Sequence, residues 1–322
     1  AWDRRQIWLL VAYYLALAIP FFCTGLAVGM ALAMERDEAN RIYAANLLGS
    51  ACGALMVPMV LPWLGMPGII FVISGGALLS GAVLRMERPG WRTVLYVFGF
   101  IFLLVSAVVR SAGSILHLSP YKGLSQALNY PDSRIIQEVD TAIARLTVVE
   151  SDGIRSLPGL SFQYRGELPT QFGLFVDGDD LSPVLDTSRP IDWDFLDYLP
   201  EAVAYDLMPD GAALVLNPRG GLAIWQALDG GGATRPVIAI ESDPAVPDVL
   251  GELLRAHSPY VPAPIELAAE APRSFLRSDE RAFGIIHLAL TQPYRPVTSG
   301  AFSLGEEYDL TVEAILAYLD HL

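Results

Sequence analysis

The sequence predicts an α-helical membrane bundle over residues 1–118, a small antiparallel β domain over 119–190, and an α/β doubly wound domain over 191–322. Three observations predict this order. Apolar segments of bilayer length fill the first third of the chain. The charge then changes sign: residues 1–118 hold eight Arg against five acidic residues, a net +3, and residues 119–322 hold thirteen Lys plus Arg against thirty Asp plus Glu, a net −17. Beyond residue 212, apolar strands alternate with stretches of helical spacing, which is the pattern of a parallel sheet with helices on both faces.

Four apolar segments can each reach across a bilayer core, which takes roughly 20 helical residues. They are residues 7–34, 42–63, 68–86 and 94–112, and none carries a charge in its central part. Pro20 interrupts the first, which is expected to kink or tilt. No small-residue cleavage site follows a short apolar core there, so it is read as a span and not as a signal peptide. Trp8, Trp63 and Trp91 lie near segment ends, where indoles favour the interface. Gly25/Gly29 and Gly49/Gly53 are small-xxx-small pairs that let helices approach closely. They serve packing within this bundle or docking to another membrane protein. No ionisable residue within the spans marks a transport path. The flanking Arg and Lys are nearly balanced and give no orientation.

In the β region, apolar runs at 134–139, 145–150 and 172–177 are separated by Asp152-Gly153, Pro158-Gly159, Arg165-Gly166 and Asp177-Gly178, which predicts hairpins. A helix is expected over 192–207. The organising stretch is residues 212–243. A strand over 212–216 runs into the turn Asn217-Pro218-Arg219-Gly220-Gly221, then a helix over 222–228, then a strand over 237–240 that ends on Glu241. A carboxylate about 20 residues after a glycine turn is spaced to hold both ribose hydroxyls of a nucleotide lying over that turn. Glycines at the turn let the ligand approach the backbone. The alternative is an ordinary strand-helix-strand unit with a surface Glu, since the full G-x-G-x-x-G is absent. A helix over 244–256, a strand over 265–268, a helix containing 274–277, a strand over 283–290 and a closing amphipathic helix over 304–322 follow. Sheets of this kind usually continue past four strands, and Ala1 begins without Met, so the chain is expected to be part of a longer protein, truncated within its α/β domain.

Composition excludes several classes. A domain at −17 repels phosphate backbones, so no nucleic-acid partner is expected. His117, His257, His287 and His321 have no metal-ligand spacing, and no metal is expected. Cys23 and Cys52 lie in apolar helices and read as packing residues. No nucleophile elbow supports a hydrolase.

Several stretches together resemble bacterial membrane-fused spermidine synthase-like proteins, whose soluble part is a methyltransferase-like (Rossmann-like) fold. The resemblance covers nearly the whole chain. It rests on residues 41–49 (RIYAANLLG), 145–151 (RLTVVES), 173–178 (GLFVDG), the Gly220-Gly221 turn with Glu241, Ser299 to Leu304, Glu307-Tyr308, and Thr311 to Ala314. It implies an inner-membrane protein with an S-adenosylmethionine or decarboxylated S-adenosylmethionine cofactor. It also implies transfer of an aminopropyl or methyl group. The soluble part is expected in the cytoplasm, where such nucleotides are made. On this likeness Gly220, Gly221, Glu241 and Glu270 are the nucleotide-binding residues, Glu270 matching the acid that holds the adenine amino group.

The chain departs from the family at the chemistry. Arg219 stands in the glycine loop, where a sulfonium comes close. The fourth strand reads Gly284-Ile285-Ile286-His287-Leu288-Ala289, without the acid that handles the attacking amine. The family's Tyr-His-Glu is missing; Tyr198 is nearby. Asp179-Asp180 stand where a Gln is expected. The candidates left for catalysis are Asp177, Asp179 and His287. The first two belong to an acidic cluster with Asp180, Asp192, Asp194 and Asp197 that can hold a polyamine or be a solvated face. His287 can act as a base near neutral pH or be a strand histidine satisfied by a carbonyl. Asp243 reads as a helix cap. Two functions compete: a membrane-anchored transferase with a different acceptor, and a degenerate transferase fold serving as an accessory subunit of a membrane complex. In either case efficient spermidine synthesis is not expected.

Overall fold

The structure is a computed structural model that describes residues 4–84, 90–110, 118–179, 181–208, 210–228, 235–254, 265–289 and 308–322. The chain divides into two compact units, Ala1–Val60 and Leu61–Leu322.

Among the described residues, the apolar region holds the helices α1 (Arg4–Met34), α2 (Ala39–Val83) and α3 (Trp91–Arg110). Two stretches, Ile7–Met34 and Arg36–Val83, are long and apolar enough to cross a membrane, and Trp91–Ala107 is a shorter apolar helix. α1 continues through Pro20, whose carbonyl accepts from Thr24 Oγ1 at 2.9 Å. The second and third predicted segments are joined in α2, but Gly65 breaks the helical geometry between them with φ 62° and ψ 172°. A Cβ on Gly65 would stand 2.7 Å from Asp140 Oδ2, so only glycine allows this bend against the β domain.

Close helix packing falls on glycines the sequence reading did not single out. A Cβ at Gly75 of α2 would lie 3.3 Å from Phe100 of α3, and one at Gly99 of α3 would lie 2.9 Å from Leu78. Among the described residues, nothing lies within 4 Å of a Cβ built on Gly25, Gly29, Gly49 or Gly53.

The β domain is a meander of β1 (Arg134–Asp140), β2 (Arg145–Glu150), β3 (Gln171–Val176) and β4 (Leu181–Leu185), paired antiparallel in sequence order. No strand was expected over β4; it contains Pro183, which is tolerated because β4 is an edge of the sheet. One face of the meander (Leu146, Val148, Leu174, Val184) packs on Val246, Val249 and Leu250 of α7 (Ala245–Leu254). The other face places Val149 and Phe175 on Leu124 and Ala127 of α4 (Gly123–Ala127).

The parallel sheet has the order β7-β6-β5-β8, with β5 (Ala213–Leu216), β6 (Val237–Ile240), β7 (Ile265–Ala268) and β8 (Ile285–Leu288). The first strand in sequence thus lies between the second and the fourth, which is the doubly wound arrangement. Residues alternate between its faces. Ala213, Val215, Val237 and Ala239 pack on α6 (Leu222–Ala227) and on Phe195 and Leu196 of a 3-10 turn at Trp193–Tyr198. Leu214, Leu216, Ile238 and Ile240 pack on α8 (Pro272–Ser278) and α9 (Val312–Asp320). Each such buried Leu or Ile contributes about 1.5–3 kcal/mol.

Two helical expectations are corrected. The helix expected over 192–207 is split into the 3-10 turn and α5 (Ala202–Leu207), because Pro200 has no N–H to continue the ladder. The closing helix begins only at Val312, where the Thr311 hydroxyl accepts from the Ala314 amide at 3.2 Å; residues 304–307 lie outside the described residues.

His321 anchors the end of α9. Its ring nitrogens bond two carbonyl oxygens, Nδ1 to Ala317 at 2.8 Å and Nε2 to Asp279 at 2.9 Å. Both nitrogens must then carry hydrogen, and the bonds to Asp279 and Ala317 raise the imidazole above its usual pKa. The resulting stability is present in full below the unfolded value of about 6.5 and lost as pH rises through the raised folded value. The melting-temperature advantage of the native protein over His321→Gln should therefore shrink from pH 5.5 to pH 8.5. A constant difference would contradict this assignment.

Candidate functional site

The site is assembled at the carboxyl ends of β5, β6 and β7, where open parallel sheets bind ligands. The turn after β5 is conformationally costly. Asn217, Arg219 and Gly221 all have positive φ, at 50°, 52° and 88°. Asn and Gly accept this readily, whereas Arg219 adds roughly 1–2 kcal/mol of strain. Hydrogen bonds fix the turn. The Asn217 amide donates to Ile240 O at 2.7 Å, its Oδ1 accepts from Ser242 N and Oγ at 3.2 and 2.7 Å, and its Nδ2 donates to Asp309 Oδ2 at 3.0 Å. Burial raises the Asp309 carboxyl, and the bond from Asn217 pulls it back.

Glu241 lies at the centre. It is not a surface residue, having 0% exposure. Its Oε2 accepts from the Arg219 amide at 3.0 Å, its Oε1 accepts from the Asp243 amide at 3.3 Å, and the Arg219 guanidinium stands 3.3 Å from Oε1. Burial raises its pKa, opposed first by the Arg219 charge and then by the two amides. Asp243 is the expected cap: Oδ1 accepts from Ala245 N at 3.0 Å, and Oδ2 accepts from Thr141 Oγ1 at 3.0 Å. Thr141 comes from the β1–β2 turn, so the meander reaches the edge of the parallel sheet.

Gly220 has a second constraint. Its amide donates to Ser182 Oγ of β4 at 3.0 Å, and a Cβ there would lie 2.2 Å from Pro183 O. The close approach that this glycine permits is to β4. Glu270 follows β7 by two residues and is half-buried. Gly220, Gly221, Glu241 and Glu270 thus lie along one edge.

The catalytic candidates lie on other elements. Asp177 and Gly178 form the β3–β4 turn, both with positive φ as a mirror-image turn needs. Asp177 Oδ1 accepts from Arg145 N at 2.9 Å, and Asp179 Oδ1 accepts from Gly123 N at 3.2 Å. Lys122 Nζ donates to Asp177 O and lies 3.8 Å from Asp179. Asp180 lies outside the described residues. Asp192 caps the 3-10 turn through the Asp194 amide, so the acidic residues are distributed over two elements. His287 lies opposite Val215 in the sheet, with Nδ1 2.9 Å from the hydroxyl of Tyr205 on α5. Burial lowers the imidazole and raises the phenol, so a neutral ring accepts the Tyr205 proton's hydrogen bond. The partner is thus a side-chain hydroxyl and not the backbone carbonyl of one of the two readings of His287.

Sequence reading missed Asp309, Ser182 and Thr141. Their roles depend on contacts between residues up to 102 positions apart. A cavity of about 570 Å³ lies at the opposite edge of the sheet, lined among others by Pro236, Ile265, Glu266, Arg281 and Phe283. There Arg281 is already bonded to Glu266 and Asp279.

No family model matches the chain, and no curated protein matches it. The chain is similar to a spermidine synthase solved in complex with the transition-state analogue AdoDATO, with 16% identity and a TM-score of 0.38 over 59% of this chain and 53% of that one. It is also similar to spermidine synthase from Thermotoga maritima, with 17% identity and a TM-score of 0.39 over 59% of this chain and 54% of that one. The chain therefore spans about half the length of the solved structures it matches.

Proposed function

We propose that this is a membrane-anchored, spermidine synthase-like protein that binds an S-adenosyl-type nucleotide with its ribose against Glu241. One observation carries the reading: a carboxylate ends β6 beside the turn after β5, within a sheet of order β7-β6-β5-β8. Glu241 is the right group for a ribose diol at this edge, but it is buried and its oxygens already accept from the Arg219 and Asp243 amides, so a ribose reaches it by displacing the Arg219 guanidinium. When bound, such a nucleotide supplies an alkyl group activated by a sulfonium. This chain's residues would hold the ribose at Glu241 and its flank at Glu270. Asp177, Asp179 and His287 remain the candidates for handling an acceptor. Aminopropyl transfer in the manner of spermidine synthase is not proposed, because Ala289 or a neighbour stands at the end of β8 where the family has an acid.

The anchor rests on α1 and α2. Most of their apolar side chains are exposed, Phe21 and Trp63 being 80% and 81% exposed, as expected of helices whose solvent is lipid, while Ile69 and Ala82 of α2 are buried. A cytoplasmic soluble part follows from where the nucleotide is made.

A second reading, an accessory subunit of a membrane complex, is favoured by the internal use of Glu241 and by the open space beside Gly25, Gly29, Gly49 and Gly53. One experiment separates the two. The full chain should stay in the membrane pellet after alkaline carbonate washing. Purified in detergent, it should bind methylthioadenosine by calorimetry, with Glu241→Gln weakening binding tenfold or more, since charge-assisted bonds contribute roughly 1.5–3 kcal/mol. Release by carbonate would remove the anchor. No binding to the native protein would leave the accessory reading.

A further inference from the structure

We propose that α9 is a proton-dependent strap: it stays docked on the parallel sheet while His321 is charged, and in that position it fixes Asn217 at the head of the turn after β5. The strap is a property of the fold and stands whether or not that edge binds a nucleotide. α9 packs on Leu214, Leu216, Ile238 and Ile240, but among the described residues it buries only two of its own side chains, Ala314 and Tyr318. Val312, Leu316 and Leu319 are exposed. So little apolar burial leaves the helix dependent on its polar anchors. At one end the His321 ring bonds the Ala317 and Asp279 carbonyls, and the His321 carbonyl accepts from Phe283 N at 2.8 Å. Towards the other end the Tyr318 hydroxyl donates to Asp309 O at 2.9 Å, and Asp309 Oδ2 accepts from Asn217 Nδ2 at 3.0 Å. The strap thus reaches from Phe283, just before β8, to Asn217, just after β5.

A neutral imidazole has one N–H and can serve only one of the two carbonyls, whereas the charged ring serves both. The charged groups facing His321 are Asp279, at the end of α8, and Asp320 of α9 itself, and both favour the charged ring. Behind them, Arg281 is bonded to Asp279 and Glu266 and holds both carboxyls below their usual range. Asp279, Glu266 and Arg281 therefore keep their charges between pH 5.5 and pH 8.5. The docked helix is favoured below the raised pKa of His321, and as pH rises through that value one anchor is lost and α9 opens locally. Asn217, held at a φ of 50°, then loses its bond to Asp309. Asp309 is the titratable group at the other end, its carboxyl raised by burial, and its removal separates the two.

The test is hydrogen exchange, read by mass spectrometry on the full-length protein in detergent at pH 5.5 and pH 8.5 and corrected for the intrinsic pH dependence of amide exchange. At the higher pH the native protein should lose about tenfold or more of its protection over residues 312–320 and about threefold or more over 217–221, as local openings do, while β2 and β3 are unchanged. His321→Gln should show the weaker protection of α9 at both pH values. Asp309→Ala keeps the backbone carbonyl that Tyr318 bonds, so α9 should still respond to pH while the turn no longer does. Equal protection of α9 at both pH values in the native protein would overturn the strap. So would a response that survives His321→Gln, or one shared by β2 and β3, which is global opening. A turn that still responds in Asp309→Ala would overturn the link to Asn217.

Discussion

Glu241→Ala should lower the stability of the protein by about 3 kcal/mol, at the lower end of the range for breaking a buried ion pair. The substitution removes the carboxylate beside the Arg219 guanidinium and the acceptor for two amides, those of Arg219 and Asp243. Partial exposure of Arg219 lets water offset part of the loss, which is why the lower end applies. At roughly 2–4 °C per kcal/mol, the melting temperature should fall by about 6–12 °C. Glu241→Gln keeps an oxygen for the Arg219 amide and should lose less than half as much. A melting temperature for Glu241→Ala within a degree of the native value would show that this carboxylate does not organise the edge of the sheet.

Gly220→Ala should be as damaging, for a steric reason. The added Cβ would lie 2.2 Å from Pro183 O, 2.8 Å from Pro183 C and 2.9 Å from Ser182 Oγ. Two of these are backbone atoms of β4 that cannot rotate away. The turn and β4 must separate, losing the bond from Gly220 N to Ser182 Oγ. Overpacking typically costs 1–3 kcal/mol, and a clash with backbone belongs at the top of that range, about 3 kcal/mol. Gly221→Ala provides the comparison. Its cost arises from a φ of 88° and should be about 1–2 kcal/mol. If thermal melts rank Gly221→Ala as the more damaging, the turn is not braced against β4.

These effects show what was legible in the sequence. β6 and β7 occupy their expected bounds because each is a short apolar run between turn signals, and the glycine-to-acid spacing placed Glu241 at the end of β6. Local pattern failed where one residue carried two meanings. Pro183 stands in β4, an edge strand that tolerates it and that was not expected, and Pro200 splits the helix expected over 192–207. The internal partners of the site were beyond reach for a different reason. That Arg219 folds onto Glu241, that Ser182 meets Gly220 and that Asp309 meets Asn217 depends on how the meander, the turn and α9 converge. No periodicity encodes such convergence. The glycines at the turn illustrate the point: the sequence assigns them to a ligand's approach, and the fold also requires Gly220 for the approach of its own β4.

The most direct test of the central claim is a crystal structure of the full-length protein with S-adenosylhomocysteine, which has the adenosyl group and the tail carboxylate without the sulfonium. The ribose hydroxyls are expected on Glu241, in place of the Arg219 guanidinium. A complex in which the guanidinium still stands 3.3 Å from Glu241 Oε1, with the nucleotide bound elsewhere, would contradict it.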